Sequence, residues 1–402
     1  MLRGGISLCF VSMLLVACVN VQESYEDGPK PSGKDYYRTL ADGELALYKV
    51  TDPREMPSFD DALADLEGLA EAVQRSLNYL SKASSEQFFP AAGISHQRMV
   101  ESLKAFRAII VSRTTKERMA EQLKERFDVY SSVGFDRKGT VLFTGYYTPV
   151  FKASRTKSAR FSYPLYALPK NHVKDPITGE TKGLRRADGS IDPNYPDRAA
   201  LVSSGMLDGL ELVYLEDAVK AYVVEVQGSA ILELEDGSRM EVGYAGTNGA
   251  PYSSISQSLV KHGKLRRDQL SLDNVMAYFY ANPEDFKVAV NENKRFIFFQ
   301  ESGGGPFGSL NEKVTRLRSI ATDKSIFPRG GITLVNARLP IGAKAGRDVS
   351  RFMCDHDTGG AIRAPGRCDI FWGVDEPSAY SPKNEAGNTY TEGRLFYLVL
   401  KE

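Results

Sequence analysis

Cysteine, histidine and tryptophan are scarce in this 402-residue chain, which holds four, four and one of them. Three of the histidines, His96, His172 and His262, are scattered. The fourth lies in Cys354-Asp355-His356-Asp357, where adjacent residues point different ways, whereas zinc ligands are usually spaced by two to four. No metal site and no cofactor are expected. Lys plus Arg equals Asp plus Glu at 51 each, with no block of like charges, so nothing favours nucleic acid as a partner. Catalytic signatures are missing too. There is no Gly-x-Ser-x-Gly elbow, no Gly-x-Gly-x-x-Gly opening a helix after a strand, and no phosphate-binding loop. Asp357-Thr358-Gly359 occurs once, without the second such loop that a shared-proton aspartyl dyad needs.

Long apolar runs are also lacking, with one exception. Ile6 to Ala17 is too short for a stable span and reads as a signal-peptide core. It ends Leu15-Val16-Ala17-Cys18, which resembles the lipobox of bacterial lipoproteins, in which the cysteine becomes the lipidated N-terminus. The alternative is an ordinary secretory signal with a chance cysteine. Val19, where Asp signals inner-membrane retention in many such lipoproteins, predicts an outer-membrane anchor facing the periplasm. Cys9 leaves with the signal and Cys18 carries lipid, so Cys354 and Cys368 remain. An exported chain can bridge them, for about 3 kcal/mol on the chain-entropy model, or leave two free thiols whose side chains diverge.

What is present is ordinary globular material, 42% hydrophobic and 25% charged, of a length that suggests two domains or three. Val19 to Lys34, with Gly28-Pro29-Lys30-Pro31, reads as a flexible tether. A helix capped by Ser58 or Asp60 is predicted through Leu80, a second over Gln97 to Val111, and a third from Thr115 with Met119, Leu123, Phe127 and Tyr130 on one face. From Gly139 the pattern turns β-branched and aromatic. Glu211 to Gly246 reads as strands with a hairpin at Glu235-Asp236-Gly237-Ser238. Helices return over Pro251–His262, from Ser271 to Tyr280 and over Pro283–Asn291, before Arg295–Gln300 and a C-terminal series of strands. The fold class read from this order is mainly β with helices packed outside two barrels.

Asp369, in Cys368-Asp369-Ile370-Phe371-Trp372-Gly373, stands in strongly apolar local sequence. Desolvation there raises a carboxyl pKa and leaves a general acid. The alternative is an aspartate that caps a turn or pairs with Arg367. Tyr146, Tyr147, Tyr244, Tyr252 and Trp372 stand close to glycines, as do Thr144, Gln227, Ser229 and Asn248. Flat aromatics beside small polar groups suit an uncharged sugar ring. The same aromatics read equally as strand residues of the core.

Taken together, Phe143–Val150 (FTGYYTPV), Val224–Ala230 (VEVQGSA), Tyr244–Ile255 (YAGTNGAPYSSI), the stretch DKSIFPRGGITL and the stretch DTGGAIRAPGRCDIFWG resemble the membrane-bound lytic murein transglycosylase A family. The resemblance implies a double-psi β-barrel domain built from residues 35–149 and 303–402, with a second β-barrel domain inserted over 150–302 and a substrate groove between them. It implies a peptidoglycan lytic exotransglycosylase, a lyase, acting on glycan strands, with partners among cell-wall synthesis or divisome proteins. Asp369 falls on the family's catalytic acid, and Asp357 on a second usual aspartate with a catalytic or a positioning role. Thr144 is expected to support Asp369, and Tyr146, Tyr147, Gln227, Gly228, Ser229, Tyr244, Asn248, Tyr252 and Trp372 to line the substrate site. The segment Arg363–Arg367 (RAPGR) is one residue longer than the family form.

Overall fold

The computed structural model describes residues 34–176, 179–266, 269–341, 346–376 and 381–402. The expected signal, Cys18 and nearly all of the tether lie outside the described residues. In chain order the first part contains β1 (Leu47–Lys49), α1 (Asp60–Ala64), α2 (Leu69–Leu80), α3 (His96–Ile110), α4 (Lys116–Arg126), β2 (Phe127–Ser132) and β3 (Thr140–Thr148). The middle contains β4 (Val150–Ser154), β5 (Tyr163–Tyr166), β6 (His172–Lys174), β7 (Thr181–Arg185), β8 (Ile191–Asp192), α5 (Arg198–Ser203), β9 (Glu211–Leu215), α6 (Ala218–Gln227), β10 (Ser229–Leu234) and β11 (Arg239–Thr247). It ends with α7 (Ile255–Lys261), α8 (Leu272–Ala281), α9 (Pro283–Glu292) and β12 (Ile297–Ser302). The last part contains β13 (Ser319–Ala321), β14 (Ile332–Leu339), β15 (Arg347–Asp357), β16 (Arg367–Val374), α10 (Pro382–Gly387) and β17 (Tyr390–Leu400).

Six strands close on themselves in the order β3-β16-β13-β15-β14-β17, with β17 returning to pair with β3. Two of the pairs, β3 with β16 and β13 with β15, are parallel; the other pairings of the ring are antiparallel. β1 and β2 extend the sheet beyond β17. Helices cover the outside. α3 is capped by the Ser95 hydroxyl, which accepts from the Arg98 N–H, and it buries Met99, Leu103 and Phe106. Phe106 meets Phe352 of β15 edge-on at 5.0 Å. A second sheet runs β12-β11-β10-β4-β9-β5, and a bridge between Ala167 and Phe299 brings its two edges together. The chain passes from the ring to this sheet at Pro149, between β3 and β4.

Several expectations are corrected. The run from Asp60 to Leu80 is two helices, because the chain turns at Gly68, which has φ 71°. Phe127 and Tyr130 belong to β2 and not to the helix begun at Thr115. The stretch around Val223-Val224 is a helix. Asp217 caps it by accepting from the Lys220 N–H at 2.7 Å, and Gly228 ends it at φ 76°. Its valines misled the strand reading because the helix is buried on two sides. Ala221 and Val224 pack on the second sheet, and Val219 and Tyr222 on α8 and α9.

Cys354 and Cys368 are both buried and free. They lie on β15 and β16, and β13 runs between these strands. Two strand spacings are about 9.5 Å, beyond the reach of a disulfide. Burial pushes the Cys354 thiol up to about 12. A thiol-reactive dye is therefore expected to find both cysteines only after denaturant is added, and reductant is expected to leave Tm unchanged. A thiol count of zero in denaturant would refute this arrangement.

Candidate active site

Asp369 lies on β16, and its place follows from strand periodicity. Cys368, Ile370 and Trp372 pack into the hydrophobic core, so Asp369 is carried on the opposite face. It pairs with Thr144 of β3 on one side and with Ala321 of β13 on the other. Ala321 also pairs with Asp357, the last residue of β15. Two carboxylates thus straddle one alanine.

Their surroundings differ. Asp357 Oδ1 accepts from the Ser309 N–H and from the Thr358 N–H, both at 2.8 Å. Burial raises its pKa, and those two donors oppose the rise. For Asp369, burial is again the main cause and brings the pKa to about 6. The nearby Arg367 guanidinium and Thr144 hydroxyl act against it, while the charge of Asp357 adds to it. Arg367 Nη2 donates to Thr144 Oγ1 at 3.2 Å, and its guanidinium lies 5.2 Å from the ring centre of Tyr37. Tyr146 packs on Phe371 at 5.1 Å. Its hydroxyl lies close enough to Asp357 to affect that carboxyl, yet makes no bond of normal hydrogen-bond geometry. Asp369 Oδ1, Arg367 Nε and Thr358 Oγ1 are likewise unpartnered among the described residues. Orphaned buried polar atoms cost about 1–3 kcal/mol each. Their concentration beside one protonatable carboxyl marks a site for a polar ligand.

The string Cys354-Asp355-His356-Asp357 is dispersed by its strand. His356 sits between Ser319 Oγ at 2.8 Å and Ser76 Oγ at 2.9 Å, and burial drives its pKa down to about 3. Asp355 is fully buried and paired with Lys324. It also accepts from Thr322 Oγ1 at 2.7 Å and from the Tyr397 hydroxyl at 2.8 Å. Among the described residues no group of three His, Cys, Asp or Glu side chains is placed to hold a metal ion.

The expected sugar contacts divide. Tyr146 is half-buried beside the aspartates, and Tyr244 is 49% exposed. Tyr252 and Gln227 line an apolar cavity with Val226, Met276 and Phe279, which neither aspartate borders. Three others turn inward. Tyr147 and Trp372 are core residues. The Asn248 amide is spent on the backbone, donating to Pro196 O and Lys294 O and accepting from the Phe296 N–H. Gln227 Oε1 accepts from the Tyr147 N–H at 3.1 Å, and Ser229 Oγ lies 3.3 Å from Thr148 Oγ1. These two tie the second sheet to β3, and Gly228 between them is the end of α6. Sequence reasoning missed Ser309 and Lys324, which carry no local signal. Arg367 it considered only as a partner that would disarm Asp369.

Two consequences follow from these charges. Because the fold raises the Asp369 pKa from 3.8 to about 6, the stability this group contributes is present at low pH and lost as pH rises through 6. Asp369→Asn is expected to be more stable than the native chain at pH 7, by up to about 3 kcal/mol, and equal to it near pH 4. Denaturant titrations at the two pH values check this. Lys324→Met leaves Asp355 buried and unpaired, for a loss of about 3–5 kcal/mol. Adding Asp355→Leu to it is expected to recover much of that loss in the same titration.

A family model described as the MltA specific insert domain matches residues 142–300, and one described as the 3D domain matches residues 318–399. Membrane-bound lytic murein transglycosylase A of Vibrio cholerae is 32% identical over 277 residues, which cover 67% of this chain and 68% of that protein. The protein of that name from Escherichia coli K12 is 30% identical over 254 residues, 61% of this chain and 63% of the relative. Among solved structures, a membrane-bound lytic murein transglycosylase from Agrobacterium tumefaciens matches with a TM-score of 0.72 at 23% identity, covering 89% of this chain and 98% of that one. Escherichia coli MltA with bound chitohexaose matches with a TM-score of 0.66 at 21% identity, covering 94% and 98%. The shared fold is mixed α/β, with a six-strand barrel and a second β-sheet domain.

Proposed function

The chain belongs to the membrane-bound lytic murein transglycosylase A family, and on that premise we propose that it is a lytic transglycosylase of peptidoglycan. It cleaves the β-1,4 bond between N-acetylmuramic acid and N-acetylglucosamine and leaves a 1,6-anhydromuramoyl end. The observation that carries this reading is Asp369, a buried-face carboxyl with a pKa of about 6 and an unpartnered Oδ1. At or below that pH it holds a proton to give. It donates this proton to the glycosidic oxygen as the bond from C1 breaks. The C6 hydroxyl of the same muramoyl ring attacks C1, and its proton passes to the Asp369 carboxylate. The proton returned equals the proton spent, and no water enters. Intramolecular attack supplies the proximity that a second, water-activating carboxylate provides in hydrolases.

Arg367 and Thr144 orient Asp369, and Asp357 ties the segment that follows it to the Ser309 loop by accepting from the Thr358 and Ser309 N–H groups. Tyr146, beside the aspartates, and the exposed Tyr244 are the aromatic surface offered to the glycan. A relative holds chitohexaose, a glycan chain, which supports a groove of this kind. The closed ring with its two parallel pairs is read as a double-psi β-barrel, and residues 150–302 as the inserted substrate-binding domain. Cys18 carries the lipid that anchors the chain to the outer membrane on the periplasmic side, in keeping with the word membrane-bound in the names of its relatives.

Digestion of purified murein sacculi followed by mass spectrometry tests the reaction. Native protein is expected to release anhydro-muropeptides, with turnover falling as pH rises through about 6. Asp369→Asn is expected to fold and release none. Products heavier by one water would mean a hydrolase that uses Asp357 as its second carboxylate. An active Asp369→Asn would sink the single-acid mechanism, and binding to sacculi without any product would leave a murein-binding lipoprotein.

A further inference from the structure

The first described residues, Lys34 to Arg38, lie against the strands that carry the acid, and the reaction above uses none of them. Lys34 Nζ donates to Glu392 Oε1 of β17 at 2.7 Å, and the buried Tyr36 gives its hydroxyl proton to the same oxygen at 2.5 Å. Tyr36 also meets Phe135 edge-on at 4.7 Å. Arg38 donates to Phe135 O at 2.6 Å and to Gly134 O at 3.1 Å. The segment passes so near the start of β16 that a Cβ at Gly366 would lie 2.7 Å from Tyr36 O. A residue without a side chain is therefore required one position before Arg367.

Between these ties stands Tyr37, with the Arg367 guanidinium 5.2 Å from the centre of its ring. Arg367 is two residues before Asp369 on β16, so both side chains leave the same face, roughly 6.5 Å apart along the strand. Arg367 is 5% exposed, and its Nη2 donates to Thr144 Oγ1 at 3.2 Å. Thr144 is in register with Asp369 on the neighbouring strand. A guanidinium has no acceptor, so Thr144 accepts from Arg367 and keeps its own hydroxyl proton for the Asp369 carboxylate. Arg367 Nε has no partner among the described residues, which leaves the Thr144 hydroxyl and the face of Tyr37 to hold the guanidinium in place. The other groups around Asp369 are Tyr146 of β3 and Asp357 of β15, with the Cys368 thiol next to it on β16. Tyr390 of β17 is in register with Thr144, and β13 contributes only Ala321. Among these groups Arg367 is the one cation.

We propose that Tyr37 is a positioning residue for the acid: its ring seats Arg367 on Thr144, and Arg367 so placed sets how readily Asp369 gives up its proton and takes it back. The segment that enters the fold ahead of β1 is thereby part of the active site. This inference rests on the reading that Asp369 is the acid.

The test is a titration of Asp369 in the full mature chain labelled with carboxyl-13C aspartate, the signal being assigned by its loss in Asp369→Asn. No turnover is needed. The native midpoint is expected near 6. Arg367→Met removes the cation and is expected to raise the midpoint by about one unit. Tyr37→Ala loosens the cation and is expected to raise it by about half as much. Tyr37→Phe keeps the ring and is expected to keep the native midpoint. Tyr37→Leu fills the space without a π face and is expected to shift as alanine does, which guards against a segment that alanine unseats. In an Arg367→Met chain, Tyr37→Ala is expected to add nothing. In digests of sacculi, the fall of turnover with pH is expected to move upward with the midpoint. The proposal is overturned if Tyr37→Ala and Tyr37→Leu leave the midpoint where it was, if Tyr37→Phe shifts it as far as they do, or if the shift persists without Arg367. Failure of the lytic reading shows separately, as a native chain that makes no anhydro product from sacculi.

Discussion

A three-residue strand, β13, fixes the relative positions of Asp357 and Asp369. It runs parallel to β15 and antiparallel to β16, so Ala321 has Asp357 on one side and Asp369 on the other. A slip of one residue in either pairing would turn one carboxylate to the opposite face. Short strands define their register weakly on their own. Here the next residues add a specific contact, since Thr322 and Lys324 both bond the Asp355 carboxylate of β15. A buried ion pair contributes little net stability once its desolvation is counted, but it penalises any register that leaves one charge unpaired. The pair beneath the site therefore acts on which arrangement forms more than on how stable it is.

Three aspartates within fifteen residues end in three different sets of partners. Asp355 is compensated by an ammonium and two hydroxyls. Asp357 spends one oxygen on two backbone N–H groups. Asp369 has a guanidinium, a hydroxyl and the Ile370 N–H opposing its burial, and these do not bring its pKa back to the ordinary value. Asp357 and Asp369 are both raised by burial, and what differs is the kind of group set against it, backbone N–H groups for Asp357 and first of all the Arg367 guanidinium for Asp369. A carboxyl held near 6 by burial can carry a proton at near-neutral pH, which is what general acid chemistry requires.

Local chemistry made part of this legible in the sequence. Thr115 and Ser271 each precede a helical run and each caps it, whereas the expected Ser58 or Asp60 cap is not made, α1 starting after Phe59 without a side-chain cap bond; the hairpin at Glu235–Ser238 follows from its turn residues. The apolar flanks of Asp369 were a sound sign of desolvation, though for a mixed reason. Ile370 and Trp372 point into the core, and only Phe371 shares the aspartate's face, against Tyr146. What failed was the choice of face. Tyr147, Asn248 and Trp372 have the right chemistry for a sugar and stand beside glycines, yet all three turn inward, because proximity to a glycine says nothing about which side of a strand is covered. The contributions of Lys324 and Ser309 were out of reach, since each depends on a strand pairing between distant segments. The helix α6 was hidden because its two buried faces erase the period of an amphipathic helix.

The two lobes are joined differently at different depths. Near Pro149 the ties are interior: the Tyr147 N–H to Gln227, the Ser229 and Thr148 hydroxyls, and the Ile231 N–H to Pro149 O at 2.9 Å. Each satisfies a polar group that is partly or wholly removed from water, so breaking one costs desolvation as well as the bond. Farther out the ties are exposed ion pairs, Arg239 with Glu376 and Lys383 with Asp273, which contribute at most about 1 kcal/mol each. Asp369 stands on the strand β16 that pairs in parallel with β3, and β3 is the strand that continues through Pro149 into the second sheet. The acid is thus carried on a strand next to the interior ties of the junction. Tyr244, on β11, stands across this junction from the acid, and the outer ties of the junction are the weaker ones. Such a division fixes the reacting atoms within the tolerance that proton transfer needs and leaves the outer walls able to adjust to the strand.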